Sequence, residues 1–217
     1  RKIKLNKNIK LEFGHEVTKV ELRNDGKKVL IFKDKNREFK KEFDYVVNAT
    51  YAGYNNFCQW LGFPQKRLRF RLKEIILLRL NAQKRRAVTV MDGPFATILP
   101  VGKSKSIYTL GDVPLSVHHS VTDAKSSSAD DARWGRHRSR WREMKKRCAR
   151  WFPVVKNARY AGSMFVVLPT EVGADAADAR NTDVFRHGRG CWSVFSGKIL
   201  TAVAAANKIL ADIKKFE

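Results

Sequence analysis

The closing part of the chain contains the feature that most restricts its fold. Residues 190–199 read Gly-Cys-Trp-Ser-Val-Phe-Ser-Gly-Lys-Ile, so an apolar strand pattern runs through Ser196-Gly197 into an alanine-rich helix. The amides and positive dipole end at a helix N-terminus receive anions or electron-rich ring edges, and glycine lets a ligand approach the backbone closely. A purely structural helix start, with Ser196 as the N-cap residue, explains the same pattern. The stretch therefore predicts a strand-to-helix turn that either binds a ligand or only starts the helix.

A second segment, residues 42–50, reads Glu-Phe-Asp-Tyr-Val-Val-Asn-Ala-Thr. A continuous apolar run with β-branched residues is typical of a strand that is covered on both faces, as in a parallel sheet. Ligands of open α/β sheets lie beyond the carboxyl ends of such strands. We therefore predict a buried parallel strand whose end carries Asn48, Ala49 and Thr50.

Several further strand patterns surround these two segments. Turn residues separate alternating patterns at 17–22, 28–33 and 38–44, which predict a small antiparallel sheet. Later patterns at 88–100, 106–113 and 160–169 predict more strands, the first of them divided in two by Gly93-Pro94.

Taken in order, four motifs resemble the later portion of FAD-dependent oxidoreductases of the D-amino-acid oxidase type. They are Asp-Tyr-Val-Val-Asn-Ala-Thr at 44–50, Met-Asp-Gly-Pro-Phe-Ala-Thr-Ile-Leu-Pro at 91–100, Asp-Ala-Arg-Asn-Thr at 178–182 and Val-Phe-Ser-Gly-Lys-Ile at 194–199. The resemblance covers most of residues 10–213.

The resemblance implies an α/β fold combined with an antiparallel sheet. A partial FAD-binding, Rossmann-like domain at 1–58 and 166–217 would carry an inserted, mainly antiparallel substrate-type domain at 59–165. A basic amphipathic helix is expected near 129–152, and the flavin would lie between the two domains.

The resemblance also implies a cofactor and a reaction. The cofactor would be FAD, and the reaction would be oxidation of an amine or amino-acid-like small molecule by hydride transfer to the flavin. Val17 would contact the adenine end through its backbone. The other implied contacts are Asn48, Ala49 and Thr50 near the ribose and pyrophosphate, and Ser196, Gly197 and Lys198 at the flavin ring or ribityl chain.

One motif that such proteins carry is missing from these 217 residues. Their first strand is followed by G-x-G-x-x-G, whose glycines admit the pyrophosphate to a helix N-terminus. The sequence has no such motif. We expect the chain to be a fragment that holds FAD poorly by itself, with a degenerate relative as the alternative.

Three residues are candidates for contact with the substrate. Because the flavin performs the hydride chemistry, no protein nucleophile is required and no catalytic residue is assigned. His118 has the chemistry of an acid or base near neutral pH, and Arg159 that of a carboxylate clamp. Tyr108 lies in a strand whose alternation does not decide which face it occupies. No metal-ligand pattern is present.

The charge balance supports a different function. The chain has 44 Lys and Arg against 21 Asp and Glu, a net charge of +23. The excess is concentrated in residues 1–73 and 133–159. A non-enzymatic basic protein of the same fold would bind nucleic acid, another polyanion or an anionic surface such as a membrane. Its contacts would be Arg136, Arg140, Lys146 and Arg150.

The same basic segment has a structural explanation. Trp134, Trp141, Met144, Cys148 and Trp151 recur at helical spacing, which favours burial of this stripe with the basic residues on a solvated face.

Two features concern the cellular setting. No apolar run approaches the ~20 residues needed to span a bilayer. Cys58, Cys148 and Cys191 are far apart and odd in number, which is typical of reduced thiols. We expect a cytoplasmic protein without a transmembrane segment.

Overall fold

The computed structural model describes residues 6–34, 37–81, 84–91, 95–123, 134–135, 137–173, 182–195 and 198–215. Twelve strands lie in these residues: β1 (Glu16–Leu22), β2 (Lys28–Asp34), β3 (Arg37–Phe43), β4 (Val46–Asn48), β5 (Leu68–Arg79), β6 (Val88–Val90), β7 (Ala96–Pro100), β8 (Ile107–Asp112), β9 (Val117–Asp123), β10 (Arg159–Glu171), β11 (Asp183–Gly188) and β12 (Cys191–Phe195). The described α-helices are α1 (Tyr54–Leu61), α2 (Val113–Ser116), α3 (Trp141–Cys148) and α4 (Ala202–Ile213).

The chain forms two compact units, Arg1–Lys66 with Ala179–Glu217, and Arg67–Asp178. Both contain mainly antiparallel sheets together with helices, which confirms the predicted mixed α/β fold class. The domain boundaries at 59 and 165 stay a prediction. In the structure β10 continues through residue 165, because it pairs with β5 from Arg159↔Arg79 to Glu171↔Leu68.

The first unit begins with the predicted antiparallel sheet, β1-β2-β3. Asp25 and Gly26 form the turn between β1 and β2: Gly26 has a φ of +84°, and the Asp25 carboxylate accepts a hydrogen bond from the Lys27 amide at 3.0 Å. A glycine with positive φ and an aspartate that accepts a hydrogen bond from a nearby backbone amide are both typical of tight turns.

A second three-stranded sheet in this unit has the order β11-β12-β4. β4 is parallel to β12, as predicted, with Val46 opposite Cys191 and Asn48 opposite Ser193. The strand is shorter than predicted, and the Val47 side chain is 43% exposed. Alternate strand residues point to opposite faces, and only the face that carries Val46 and Asn48 is packed.

A small core joins the elements of the first unit. Val20 of β1, Phe57 of α1 and Cys191 of β12 are buried against one another, with Val46 packed beside them. The sheet β1-β2-β3, helix α1 and the parallel strands β4 and β12 therefore share one apolar interior.

The second unit contains a sheet of order β10-β5-β8-β7-β6, with β9 also pairing with β5. Side chains alternate along β5 between a buried and a half-buried face, and the buried face carries Leu72, Glu74 and Ile76. Helix α3 covers this face with Met144 and Cys148, both fully buried.

The basic helix is shorter than the span 129–152 predicted for it. Among the described residues of that span, only Trp141–Cys148 is α-helical. Ser139 and Arg140 instead hydrogen-bond the Glu74 carboxylate, which holds the chain outside the helix. Burial of the apolar stripe is confirmed, because Trp134, Met144 and Cys148 are buried and Trp141 and Trp151 pack partly against the core.

Candidate functional site

In the first unit, a cleft lies at the carboxyl ends of β4 and β12. Because these strands are parallel, the residues that follow each of them reach the same edge of the sheet. The cleft has a volume of about 420 Å³. It is lined by Ala49, Tyr51, Thr182, Val194, Lys198, Ile199, Ala202 and Ala205. Two segments predicted to contact the cofactor, represented by Ala49 and Lys198, thus meet in one place.

Asn48 shapes the turn that leads into this cleft. Its side chain is buried, and its amide donates to the Tyr54 carbonyl at 3.1 Å and to Ser193 Oγ at 3.2 Å. Its carbonyl oxygen accepts from the amide and hydroxyl of Thr50, at 3.2 and 2.6 Å. Both donors and both acceptor positions of the side chain are therefore occupied. Asn48 and Thr50, both predicted to contact FAD, fix the backbone around Ala49.

Tyr51 is a lining residue that sequence reasoning missed. Its φ of +57° lies in the left-handed region, which is rare for a bulky side chain and costs roughly 1–2 kcal/mol. The ring stacks on Phe195, with 6.1 Å between ring centroids. Aromatic stacking holds a strained residue at the cleft wall, and backbone strain of this kind concentrates at functional sites.

The other wall is formed where Lys198 leads into a 3₁₀ turn and then α4. The Thr201 hydroxyl donates to the Lys198 carbonyl at 2.7 Å and is hydrogen-bonded to the Thr182 hydroxyl. Ile199 and Leu200 are 89% and 90% exposed, an unusual density of apolar surface beside a cleft. Ser196 and Gly197 lie outside the described residues.

Val17, the predicted adenine contact, lies elsewhere in the first unit. It is half-buried in β1, pairs with Phe32 and packs against the core around Phe57. The register of β1 shifts between Val17 and Lys19. Val17 is not among the residues that line the cleft.

A polar cluster lies beneath β12. Ser193 Oγ lies 2.8 Å from His187 Nε2, and the His187 ring stacks on Phe63 at 4.4 Å between centroids. Burial lowers the pKa of His187 and raises the pKa of Tyr54. The cluster is therefore uncharged near neutral pH and supports the strand end through hydrogen bonds alone.

In the second unit, the buried carboxylate of Glu74 accepts hydrogen bonds from four groups. They are the hydroxyls of Ser139 and Ser163, the Arg140 amide at 2.9 Å and His118 Nε2 at 2.9 Å. Burial alone raises the pKa of Glu74, but these hydrogen bonds outweigh it and lower the pKa below its usual range. The alternation of residues along β5 could have indicated that Glu74 is buried, since residue 74 shares a face with Leu72 and Ile76.

His118 also borders a cavity of about 530 Å³. His119, His137 and residues 138–143, which lead into α3, complete its lining. Nδ1 of His137 is buried and has no hydrogen-bond partner within the described part of the chain. The cavity belongs to the second unit alone.

The other two predicted substrate residues do not join His118. Tyr108 is buried on the core face of β8 with Leu110, and Arg159 is exposed at the start of β10. Neither lines the cavity beside His118. Strand alternation did not reveal which face of the sheet would carry Tyr108.

The predicted polyanion contacts differ in their surroundings. The Arg140 guanidinium donates to the carbonyls of Leu115 and Val117 at 3.2 and 3.0 Å, so it ties the segment before α3 to the junction of α2 and β9. Lys146 and Arg150 are exposed. Arg136 lies outside the described residues.

The fold is similar to parts of solved structures of FAD-dependent oxidoreductases, which confirms the resemblance noted in the sequence for the fold alone. Glycine oxidase from Geobacillus kaustophilus matches 90% of this chain with a TM-score of 0.59 and 16% identity. Iminodiacetate oxidase from Chelativorans sp. BNC1 matches 86% with a TM-score of 0.55 and 16% identity. The flavin-dependent halogenase CmlS matches 89% with a TM-score of 0.53 and 15% identity.

These matches cover 46%, 45% and 34% of the three structures, respectively, so the chain spans less than half the length of each. No protein-family model and no curated protein sequence matches the chain.

Proposed function

We propose that this chain is part of a FAD-dependent oxidoreductase that oxidises an amine or amino-acid-like substrate. The observation that carries the proposal is the cleft at the carboxyl ends of β4 and β12, where Ala49 and Lys198 meet. Ligands of α/β sheets lie at such ends. Two of the similar structures described above are named as oxidases of glycine and of iminodiacetate, which supports the substrate class.

The residues of the cleft fit a portion of FAD. A volume of about 420 Å³ is within the usual range for cofactor sites. Ala49 and Ala202 are small enough for a planar ring to approach the backbone, and the Lys198 ammonium suits a phosphate or an electron-rich ring edge. Bound flavin would supply the acceptor for a hydride from the carbon next to the substrate nitrogen. The chain's own residues would bind and orient the flavin.

Filling the cleft tests this proposal. We expect Ala202→Trp to lower FAD affinity by at least about tenfold, because its indole would occupy space that the flavin needs. Ala204→Trp is the matched control, since Ala204 is exposed on the same helix and does not line the cleft. Saturation-transfer NMR with FAD measures the binding, because the method detects weak complexes.

Each outcome of this experiment has a clear meaning. FAD binding to the wild-type chain and the Ala204→Trp variant, but not to Ala202→Trp, would support the cleft as the site. Equal binding by all three would remove the cleft from the proposal. A folded wild-type chain with no FAD signal, alone or within any longer product of the same gene, would contradict the flavin function.

Exposed Lys146 and Arg150 on and just beyond α3 favour a second candidate, a basic protein that binds nucleic acid. That function predicts an affinity that falls steeply with salt, with a log–log slope of about −0.9 per duplex phosphate contacted. A salt titration of duplex DNA binding separates it from the flavin function.

The cytoplasmic setting is also part of the proposal. Cys58, Cys148 and Cys191 are buried free thiols, as expected in a reducing compartment. Burial raises the pKa of each thiol, to about 12 for Cys148, so these groups stay protonated near neutral pH.

Within the described residues, no helix has both the length and the apolar character required to cross a bilayer.

A further inference from the structure

A second cavity lies at the other end of the parallel pair β4 and β12. It has a volume of about 610 Å³, and its lining includes Tyr45 and Gly190, the residues immediately before the two strands. The cleft proposed to hold the flavin lies at the carboxyl ends of these strands, whereas this cavity lies at their amino ends. The two sites are therefore separate within the first unit.

The cavity contains a buried ammonium group. Lys28 is only 3% exposed, and its Nζ donates to the Asp44 carbonyl at 2.6 Å. Among the described residues no carboxylate lies within ion-pair distance of this nitrogen. An ammonium has three donors, and a buried charge is costly unless it is paired and hydrogen-bonded. Lys28 thus lacks a counter-charge that a ligand of opposite sign would supply.

The backbone is built closely around this nitrogen. Gly190 has a φ of +70°, and a Cβ at this position would lie 2.6 Å from Lys28 Nζ and 2.9 Å from the Asp44 carbonyl oxygen. Only glycine satisfies both the conformation and the space. The Tyr45 ring completes this wall, with its centroid 6.0 Å from Lys28 Nζ.

A second cation lies at the same cavity. Arg189 is exposed, has a φ of +51° and forms no ion pair with any described residue. A left-handed arginine is an unusual turn residue, since Gly and Asn adopt this conformation at less cost. Arg23 also lines the cavity but is paired with Asp25 and Glu42. The uncompensated positive charge therefore comes from Lys28 and Arg189.

We propose that this cavity binds a small oxyanion, held between the Lys28 ammonium and the Arg189 guanidinium. The shared chemistry is that of a phosphate or carboxylate group, whose oxygens accept charge-assisted hydrogen bonds from both cations. The cavity is large enough for a small metabolite that carries such a group.

Inorganic phosphate is the first probe, with acetate and chloride at equal ionic strength as separate arms. We expect phosphate to raise the unfolding temperature of the full chain above the value in chloride. Acetate tests whether a carboxylate suffices. Lys28→Met should weaken phosphate binding about tenfold or more, as expected for loss of a charged hydrogen bond. Line broadening in ³¹P NMR measures the binding directly.

Lys27→Met is the matched control, because Lys27 is the adjacent lysine, pairs weakly with Asp44 and does not line the cavity. It removes the same charge and should leave phosphate binding unchanged. If Lys28→Met does not fold, Arg189→Asn serves instead, since asparagine tolerates the left-handed backbone while removing the guanidinium. Equal phosphate effects on wild type, Lys28→Met and Arg189→Asn, or no effect beyond that of chloride, would overturn the proposal.

Discussion

At the residue scale, Glu74 shows how a buried charge is accommodated in the second unit. Its carboxylate lies on the apolar face of β5, where an unpaired charge would be strongly destabilising. Four hydrogen bonds from β9, β10 and the segment before α3 compensate it. The side chain therefore links elements that are far apart in sequence.

We expect Glu74→Gln to destabilise the second unit by about 2–3 kcal/mol at pH 7, because an amide donor would face groups that are themselves donors. The folded pKa of Glu74 lies below its unfolded value, so the carboxylate stabilises the fold above the unfolded pKa of about 4.3. That contribution disappears as the pH falls through the folded pKa. The difference between wild type and variant should shrink in acid.

Urea unfolding at several pH values measures this difference. Glu143→Gln is the control, since Glu143 is an exposed carboxylate on α3. A Glu74→Gln effect that equals the Glu143→Gln effect, or one that persists unchanged below pH 4, would contradict the argument.

At the element scale, α3 is stabilised by the face that it buries. The helix has only eight residues and no side-chain cap at its start, so its intrinsic stability is low. Met144 and Cys148 are completely buried against Ile76 and Leu110, whereas Arg142 and Lys146 on the same helix are exposed. Packing, rather than helix propensity, holds the element in place.

Met144→Ala should cost about 2–5 kcal/mol, because it removes a buried methylene, the sulfur and the terminal methyl group and leaves a cavity. Lys146→Ala on the exposed face of the same helix should change stability by no more than about 0.5 kcal/mol. Denaturant unfolding of both variants compares the two faces directly. Similar effects of the two substitutions would show that this helix does not depend on its buried face.

At the scale of the whole molecule, the two units differ in how the chain builds them. The second unit is one continuous segment, Arg67–Asp178, whereas the first combines residues from both ends of the chain. Each has its own hydrophobic core. Two cores in one chain make a single all-or-none unfolding transition an unsafe assumption.

We expect residues 67–178, expressed alone, to fold with a cooperative thermal transition, because their core and sheet are complete within the segment. Circular dichroism and the linewidth of the Met144 methyl signal in NMR provide the measurement. A segment that lacks a cooperative transition, while the full chain has one, would show that the second unit depends on the rest of the chain.

Much of the local structure could be predicted because its causes are local. Alternating side chains and turn residues indicated β1, β2, β3, β8 and β10 to within a few residues, since both signals act between near neighbours. The family resemblance added the convergence of Ala49 and Lys198 on one cleft. Tyr51 and Thr182 were missed there, because no periodic pattern marks a left-handed tyrosine or a threonine paired across a loop.

The sequence by itself therefore determined where many of the strands lie and which fold family they resemble, because those depend on periodicity and order along the chain. Strands β5, β9 and β11 were not predicted. Only the tertiary structure decided which distant groups meet. The β4–β12 pairing brings residues 48 and 193 together, and Glu74 finds its partners at 118, 139 and 163. In the sequence, nothing distinguishes Lys28 from the other lysines. Only the fold buries its ammonium beside Gly190. Pairing between distant residues is a property of the folded chain, and local pattern does not encode it.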